Sequence, residues 1–461
     1  MKHVILGAGP AGVIAAETLR KHAPGDDITL VGDEPEAPYS RMAIPYLLMG
    51  NIKEDGTHLR RGKDHYRAQR ITLKPGRAKA VDIAARSVTL EDGSTLAYDR
   101  LLIATGSSPS DPPIPGVHSV GVHHCWTLAD ARAIAQRANK GARVLQMGAG
   151  FIGCIIMESL AARGVQLTVV EMGDRMVPRM MGPTAGGMIK DWCETKGVRV
   201  YTGARVEAIE PAEAPPQAAD VHGKPGLLSR IASAVGIGPG GDRAAPAAAA
   251  ANGALRVRLS NGKTLEADLV ISATGVKPNI GFLQDSGVTC LLGVLTDEHL
   301  QTNVPGVYAA GDCAEALDMI SGKTIVSAIQ PNAADQARVA ALNMVGRPSV
   351  LKGVTQINVL DTLGLVSTSF GDWQGVPGGQ QVELTEPTRG RHVSLQFAGD
   401  RLVGCNSVGW TDHVGVMRGL VEGQVALGEW KDRLLADPTQ LMAAYLARAQ
   451  AQEGRALVKA S

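Results

Sequence analysis

The sequence predicts an α/β protein. Two parallel-sheet units are predicted because two local patterns each occur twice, and a change of pattern after them predicts a third, α+β unit. A G-x-G-x-x-G turn is found at residues 7–12 and again at residues 148–153. An apolar run that ends in Ala-Thr-Gly is found at residues 101–106 and 269–275. Each glycine turn follows a short apolar run and precedes a helix-like stretch, so the chain repeats a whole strand-turn-helix plan.

Each turn predicts a binding site for the pyrophosphate of a dinucleotide. The first glycine permits a tight turn, the second lets the backbone approach the pyrophosphate, and the third lets helix and strand pack closely. The helix N-terminus then faces the negative charge. The glycines are Gly7, Gly9 and Gly12 in the first turn and Gly148, Gly150 and Gly153 in the second. A single turn can be a ligand-free bend, but two copies, each followed about 20 positions later by an acidic residue, predict two dinucleotides in one protein.

The composition argues against several classes of partner. Lys and Arg total 46 against 45 Asp and Glu, so no basic surplus indicates nucleic acid or an anionic membrane. The six cysteines are scattered without a C-x-x-C pair, so neither a disulfide scaffold nor a metal site is predicted. No stretch of about 18 uncharged apolar residues is present, so no membrane span is predicted. The first strand begins at residue 3, which leaves no room for a signal peptide, and we expect a cytoplasmic protein.

The patterns divide the chain into units. The first is expected to cover residues 1–112 and the second residues 113–273, each closing near an Ala-Thr-Gly ending. Residues 211–253 are rich in Ala, Pro and Gly and are predicted to be a mostly disordered insertion at a hairpin tip. Residues 346–461 change to alternating apolar runs and form the third unit. Its predicted elements are strands at 354–359 and 392–397 and helices at 412–427 and 438–452.

The paired glycine turns, the paired Ala-Thr-Gly endings and the stretch from Thr302 to Asp312 resemble the pyridine nucleotide–disulfide oxidoreductase superfamily. The likeness is to the branch without a redox disulfide, which includes ferredoxin and rubredoxin reductases, the flavin part of nitrite reductases, and NADH oxidases. The resemblance implies a flavoprotein with two Rossmann-like domains, FAD in the first and NAD(P)H in the second. It also implies that residues 274–345 return to the FAD domain and that residues 346–461 form an interface domain, as in a homodimer.

The same resemblance implies which residues bind FAD. Arg41 would line the cofactor, Thr105 would lie near the adenine side, and Asp312 would bond the ribityl or ribose hydroxyls. The ribose acid would be Asp33 or Glu34, with Glu34 slightly favoured, although both can instead be solvated acids at a strand end. The full implied set is Gly7, Gly9, Pro10, Gly12, Asp33, Glu34, Arg41, Thr105, Gly106, Gly311 and Asp312.

For the second dinucleotide, Glu171 at the end of a strand is the selective residue. A carboxylate there accepts hydrogen bonds from the adenosine ribose diol and repels a 2′-phosphate, which favours NADH. Arg175 or Arg179 can still offer a cation to NADPH, which is the less favoured cofactor. The full implied set is Gly148, Gly150, Phe151, Ile152, Gly153, Glu171 and Gly275.

Three positions depart from the family's usual residues. Met42 stands where some relatives have a reactive Cys, and a thioether cannot become a thiolate nucleophile. Tyr46 and Ile155 stand where many relatives have a Lys near flavin N5 and its paired Glu. We therefore expect no thiol chemistry and a less polar nicotinamide pocket, although the double change can also be a compensated core replacement. Tyr46 is the candidate catalytic residue near the flavin, and simple packing is the alternative.

These features predict an enzyme, an FAD-dependent NAD(P)H oxidoreductase without a redox-active disulfide. Hydride would pass from NADH to FAD, and electron transfer would continue to a redox partner protein such as a ferredoxin. One alternative is an NADH oxidase or a reductase of quinones or other small organic acceptors. A further alternative is a flavin-bound redox-sensing or binding protein, for which the missing Lys–Glu pair leaves room.

Overall fold

The computed structural model describes residues 1–62, 64–212 and 254–448. The elements of the first part are β1 (Lys2–Leu6), α1 (Pro10–His22), β2 (Asp27–Gly32), α2 (Ile44–Leu48), α3 (His65–Ala68), β3 (Ile71–Pro75), β4 (Ala78–Asp82), β5 (Ser87–Leu90), β6 (Thr95–Ala97), β7 (Arg100–Ile103) and β8 (Ser107–Pro109). The elements of the second part are β9 (Val122–His123), α4 (Leu128–Arg137), β10 (Arg143–Met147), α5 (Phe151–Ala162), β11 (Gln166–Val170), α6 (Pro183–Thr195), β12 (Arg199–Tyr201), β13 (Val206–Pro211), β14 (Leu255–Leu259), β15 (Thr264–Ala267) and β16 (Leu269–Ser272).

The remaining elements follow the second Ala-Thr-Gly ending. They are β17 (Val276–Pro278), β18 (Val294–Leu295), β19 (Val307–Ala309), β20 (Ala314–Leu317), β21 (Thr324–Val326), α7 (Gln330–Met344), β22 (Ile357–Thr362), β23 (Leu365–Gly371), β24 (Gln380–Glu386), β25 (Arg391–Ala398), β26 (Arg401–Val408), α8 (Val414–Glu422), α9 (Trp430–Ala436) and α10 (441–448). None of the helices within the described ranges is long and apolar enough to cross a membrane.

The first sheet has the strand order β19-β7-β1-β2-β3, and all its strands are parallel. Because β19 pairs with β7, the chain returns to this sheet after it has built the second one. Helix α1 packs against α7 through small buried side chains such as Ala15, Ala16 and Ala337. Full burial of the neighbouring Leu19 contributes roughly 1.5–3 kcal/mol to this core.

The second sheet repeats this plan with the parallel order β12-β11-β10-β16-β9. Beside it, β13, β14 and β15 form an antiparallel sheet in which Pro211 pairs with Leu255. Pro211 therefore belongs to a strand, although the sequence had placed it in the predicted insertion. Residues 213–253 lie outside the described residues.

The third sheet is antiparallel, in the order β22-β23-β26-β25-β24. One face packs with α8 around Phe370 and Met417, and the sheet also contacts α5 and α6 through β22 and β26. The strand predicted at 354–359 begins instead at Ile357, because Val354 forms a bridge with Asp318 outside this sheet.

The two predicted C-terminal helices differ from expectation at one end each. Helix α8 ends at Glu422, and Gln424 adopts a left-handed conformation (φ 45°) that interrupts the predicted helix 412–427. The helix predicted at 438–452 starts with a 3₁₀ turn, Pro438–Gln440, and becomes α-helical at residue 441. Its last predicted residues, 449–452, are outside the described part of the chain.

Candidate active site

The two glycine turns are anchored by the same backbone hydrogen bond. The Gly7 N–H donates to the Val31 carbonyl, and the Gly148 N–H donates to the Val170 carbonyl, both at 2.8 Å. In each case the bond joins the turn, directly after one strand, to the end of the neighbouring parallel strand. The duplication seen in the sequence is therefore a duplication of local three-dimensional structure.

The first glycine of each turn is required by the fold itself. A Cβ on Gly7 would lie 2.0 Å from the Ala104 carbonyl oxygen, and a Cβ on Gly148 would lie 2.4 Å from the Ala273 carbonyl oxygen. Their φ angles, 112° and 93°, are also in the region that side chains disfavour. The Ala-Thr-Gly endings thus press directly against the turns, which explains why both patterns occur together.

The second glycine of each turn is different, because the fold does not require it. Gly9 and Gly150 have ordinary φ angles of −78° and −75°, and a Cβ on either would meet no atom within 4 Å. Each lies at the N-terminus of a helix, where free N–H groups attract an anion. Open space at these two positions fits a pyrophosphate at each turn.

The first turn opens into a cavity of about 520 Å³ that reaches as far as helix α5. Most residues of the predicted FAD set line it: Gly7, Gly9, Pro10, Asp33, Glu34, Arg41, Thr105, Gly106, Gly311 and Asp312. Gly12 is not in the lining, since it packs beneath the turn, where a Cβ would lie 1.9 Å from the Gly7 carbonyl oxygen. The cavity therefore brings together residues that are up to three hundred positions apart.

The two candidate ribose acids have different surroundings. Glu34 forms a 2.8 Å ion pair with Arg41 and accepts a 2.6 Å hydrogen bond from the Tyr39 hydroxyl. Asp33 forms a 2.7 Å ion pair with Arg77 between two well-exposed side chains. Surface pairs of this kind are weak, so Asp33 is easily released, whereas Glu34 is fixed in the cavity wall.

Arg41 is the cation of this wall that pairs with Glu34. Besides Glu34, it donates to the Ser107 carbonyl at 3.1 Å and lies over the ring of Trp126, 5.1 Å from its centroid. The Trp126 indole N–H donates to the same Ser107 carbonyl. Arg41 is therefore oriented by three groups, and sequence reasoning had identified only the cation, not Trp126.

Asp312 lies at the carboxyl end of the first sheet and accepts a 2.9 Å hydrogen bond from the Ser107 hydroxyl. Burial raises the pKa of Asp312 above its usual value, although the Ser107 hydrogen bond and the Arg41 charge oppose the shift. The preceding Gly311 N–H donates at 2.7 Å to the side chain of Gln336, a fully buried residue of α7. Sequence reasoning missed Gln336, because a polar residue inside a helix pattern gives no local signal of this contact.

Glu171 is buried beside the second turn. Its carboxylate accepts hydrogen bonds from the Ala149 and Gly173 N–H groups, both at 2.7 Å, which leaves further lone pairs for ribose hydroxyls. Arg175, one of the cations considered for NADPH, donates instead to the Met181 carbonyl and pairs with Asp174. Of the predicted NADH residues, only Phe151 and Ile152 line the cavity. The others lie outside its lining: Gly148, Gly150, Gly153, Glu171 and Gly275.

The end of the cavity that meets α5 is apolar. Met42 and Ile155 both line it, as do Phe151 and Ile152. Tyr46 does not: its side chain is 53% exposed and is absent from the lining. The expectation that Tyr46 lies near the flavin is therefore corrected, because α2 presents Ile44 and Pro45 to the cavity and turns the following residue to solvent.

No thiol is prepared for chemistry at this cavity. All six cysteines of the chain lie in the described residues and are free thiols. Cys125 lines the cavity, but burial raises its pKa to about 12, so the thiol stays protonated at neutral pH. A protonated, buried thiol is a poor nucleophile.

Comparison with known proteins decides the family. The family model for pyridine nucleotide-disulphide oxidoreductases matches residues 1–244 and 243–340. The chain belongs to this family. Its membership confirms the predicted fold class and the predicted class of enzyme, a pyridine nucleotide-dependent oxidoreductase.

Three similar proteins are informative about the branch. The NADH-dependent phenylglyoxylate dehydrogenase subunit epsilon of Aromatoleum evansii is 31% identical over 441 residues, which cover 95% of each chain. The NADH oxidase of Methanocaldococcus jannaschii is 28% identical over 444 residues, which cover 89% of this chain and 88% of the relative. The crystal structure of the ferredoxin reductase for the CYP199A2 system of Rhodopseudomonas palustris superimposes with a TM-score of 0.73 at 26% identity, covering 88% of this chain and 91% of the other.

Proposed function

We propose that the protein transfers hydride from NADH to FAD and passes the electrons on to an iron–sulfur partner protein such as a ferredoxin. One observation carries this proposal. A single cavity runs from the first glycine turn to the helix that begins at the second one, where Ile152 and Ile155 form its wall. Two dinucleotides can therefore meet end to end, and no thiol is available to act between them.

The residues of the first turn would hold FAD, which supplies a two-electron acceptor and a one-electron donor. The pyrophosphate would lie at Gly9, against the N-terminus of α1. Arg41 would supply the positive charge, and Asp312 and Glu34 would accept hydrogen bonds from cofactor hydroxyls. Each of these groups already has a fixed partner in the protein, so binding requires little further ordering.

The residues of the second turn would bind NADH. Gly150 leaves space for its pyrophosphate, and Glu171 would accept hydrogen bonds from the adenosine ribose. Because Arg175 is bound to the Met181 carbonyl, it is not free to compensate a 2′-phosphate. This supports NADH over NADPH as the donor.

The apolar end of the cavity would position the nicotinamide and exclude water. Ile155 and Met42 carry no charge, so neither competes for a proton or hydride during transfer. Positioning and exclusion of water are the main contributions that a protein makes when cofactors supply the reacting atoms.

Three finer features belong to the same proposal. We propose the domain boundaries 1–112 with 274–345 for FAD, 113–273 for NADH and 346–461 for the third domain. That third domain would form the interface of a homodimer, and the protein would work in the cytoplasm. The partner protein is supported by the relatives, one of which is named as a subunit and another as a ferredoxin reductase.

Anaerobic stopped-flow measurement of the FAD-loaded protein tests the proposal. NADH should bleach the flavin absorbance within seconds, NADPH should be slower, and a ferredoxin added afterwards should restore the absorbance as it becomes reduced. Failure of both nucleotides to bleach the flavin contradicts the proposal. Bleaching without any electron transfer to ferredoxins contradicts the choice of partner only.

An NADH oxidase is the second candidate, because the relative from Methanocaldococcus jannaschii covers most of both chains and carries that name. Steady oxygen consumption with NADH alone, at a rate equal to flavin bleaching, would favour it. Oxygen consumption that is slow alone but rises when a ferredoxin is added would favour the reductase.

A further inference from the structure

The segment 171–182, called here the 171–182 loop, forms hydrogen bonds with both the N–H and the carbonyl of one residue in the second glycine turn. The Ala149 N–H donates to the Glu171 carboxylate at 2.7 Å, and the Ala149 carbonyl accepts a 2.9 Å bond from the Val177 N–H. Ala149 is the middle residue of Gly148-Ala149-Gly150. The shape of this turn therefore depends on the position of the loop.

The loop itself has a conformation that it would not adopt alone. Val177 is a fully buried, β-branched residue with φ of 49°, in the left-handed region that such side chains strongly disfavour. Residues of this kind keep their conformation only when surrounding contacts fix it. Arg175 supplies two of these contacts through its bonds to the Met181 and Pro178 carbonyls.

Further contacts come from the third sheet. Asn406 of β26 is 2% exposed, and its amide donates to the Met180 carbonyl at 2.9 Å. The amide oxygen accepts a 2.8 Å bond from the Gly182 N–H, at the start of α6. These partners are 226 and 224 positions away in sequence, so the bonds tie the third sheet to the end of the 171–182 loop.

We infer that Asn406 is a positioning residue for NADH, through which the third sheet sets the affinity of the second glycine turn for the adenosine half of the nucleotide. The path is short and continuous. Asn406 fixes residues 180 and 182, the loop then holds Val177 against Ala149, and Ala149 in turn fixes the Glu171 carboxylate. The inference rests on the proposed function, in which the second turn binds NADH.

The effect should fall on binding and not on hydride transfer. Glu171 of the loop and the Ala149 peptide of the turn are hydrogen-bonded to each other. In the proposed function both belong to the ribose and pyrophosphate part of the site. The apolar end where the nicotinamide would react is formed by Ile152 and Ile155 of α5, which lie in a regular helix. A displaced loop therefore weakens NADH but leaves the reacting end unchanged.

Two variants of Asn406 in the FAD-loaded protein test this inference. Asn406→Leu removes both bonds, whereas Asn406→Asp keeps the acceptor for the Gly182 N–H and remains useful where the first variant fails to fold. With two buried hydrogen bonds lost, the dissociation constants of both NADH and ADP-ribose should rise about five- to twentyfold in Asn406→Leu, and less in Asn406→Asp. The rate of flavin bleaching at saturating NADH should change by less than about twofold.

Ser407→Ala is the matched control. Ser407 is the next residue of the same strand, is 1% exposed, and bonds Thr368 at 2.7 Å within the third sheet instead of the loop. Its loss should lower the melting temperature but leave both dissociation constants unchanged. The control thus separates general damage to the third sheet from loss of the link to the loop.

Three results would overturn the inference. The first is an unchanged dissociation constant for ADP-ribose in both Asn406 variants. The second is a lower bleaching rate with unchanged affinity, and the third is an equal loss of affinity in Ser407→Ala. Failure of the wild-type protein to bind ADP-ribose or to be reduced by NADH would instead contradict the proposed function.

Discussion

The two glycine turns have the same backbone arrangement, but they differ in the residue that follows the neighbouring strand. The Val31 carbonyl accepts a hydrogen bond from the first glycine of its turn, and the Val170 carbonyl accepts the equivalent bond in the second unit. The residues after them, Gly32 and Glu171, therefore occupy equivalent positions. The second turn therefore has a carboxylate where the first has no side chain. A Cβ at Gly32 would lie 2.9 Å from the Ala8 side chain, so the first turn leaves no room for an acid there.

The acids of the two sites are also held differently. Glu171 is bonded to the backbone of its own turn, at Ala149. Glu34 is bonded instead to two side chains of the cavity wall, Arg41 and Tyr39. Within the described residues, the N–H of Ala8, which corresponds to Ala149, has no carboxylate partner. Under the proposed function, the backbone of each glycine turn would bind a pyrophosphate, and the residues around the turn would select the dinucleotide.

The largest expected effect comes from filling the open space in each turn. Gly9→Val should abolish FAD binding, and Gly150→Val should leave FAD bound but weaken NADH by more than about tenfold. Because a Cβ at either position meets no protein atom, both variants should still fold. Flavin absorbance after purification and NADH titration measure the two outcomes, and loss of FAD from Gly150→Val would contradict the assignment of separate sites.

A smaller effect is expected from neutralising the two acids. Glu171→Gln should raise the NADH dissociation constant about tenfold and reduce the preference over NADPH, because charged hydrogen bonds to the ribose are lost. Glu34→Gln should leave NADH unchanged and weaken FAD about threefold, since Arg41 keeps its bond to the Ser107 carbonyl. Titration of each variant with both nucleotides measures this, and an equal preference in wild type and Glu171→Gln would break the comparison.

The smallest effect concerns Asp312, the acid of the first site that has no counterpart in the second. Because burial raises its pKa, the folded apoprotein binds a proton more readily than the unfolded chain, and stability falls as pH rises through that window. Asp312→Asn should therefore raise the melting temperature of the apoprotein by about 1–3 °C at pH 7 and have no effect at a pH below the ordinary pKa of the carboxyl.

The same Asp312→Asn variant should bind FAD more weakly. Calorimetry of the apoprotein between about pH 3 and 8 measures the first effect, and a flavin titration measures the second. Asp335→Asn is the control, because Asp335 is well exposed, pairs with Arg338 and lies outside the cavity lining. A lower melting temperature for apo Asp312→Asn at pH 7 would show that its carboxylate stabilises the fold and would reverse this interpretation.

Much of the site could be predicted from sequence because its signals are local. A glycine that must adopt positive φ, such as Gly7, and an acid that directly follows a strand, such as Glu171, are visible within a few residues. Tyr46 shows where this fails: its position in the sequence is near a family site, but the orientation of a five-residue helix decided that it faces solvent. The start of β22 was misplaced for a similar reason, since a bridge at Asp318 took Val354 from the third sheet.

The sequence by itself determined the two glycine turns, the class of enzyme and the absence of a cysteine at position 42, because each depends on residue types at fixed short spacing. Only the tertiary structure decided which distant residues support the segments around those turns. Gln336 reaches Gly311 from α7, and Asn406 reaches the 171–182 loop from the third sheet. Such hydrogen bonds join segments that are distant in the chain, and their energies depend on packing that no local pattern encodes.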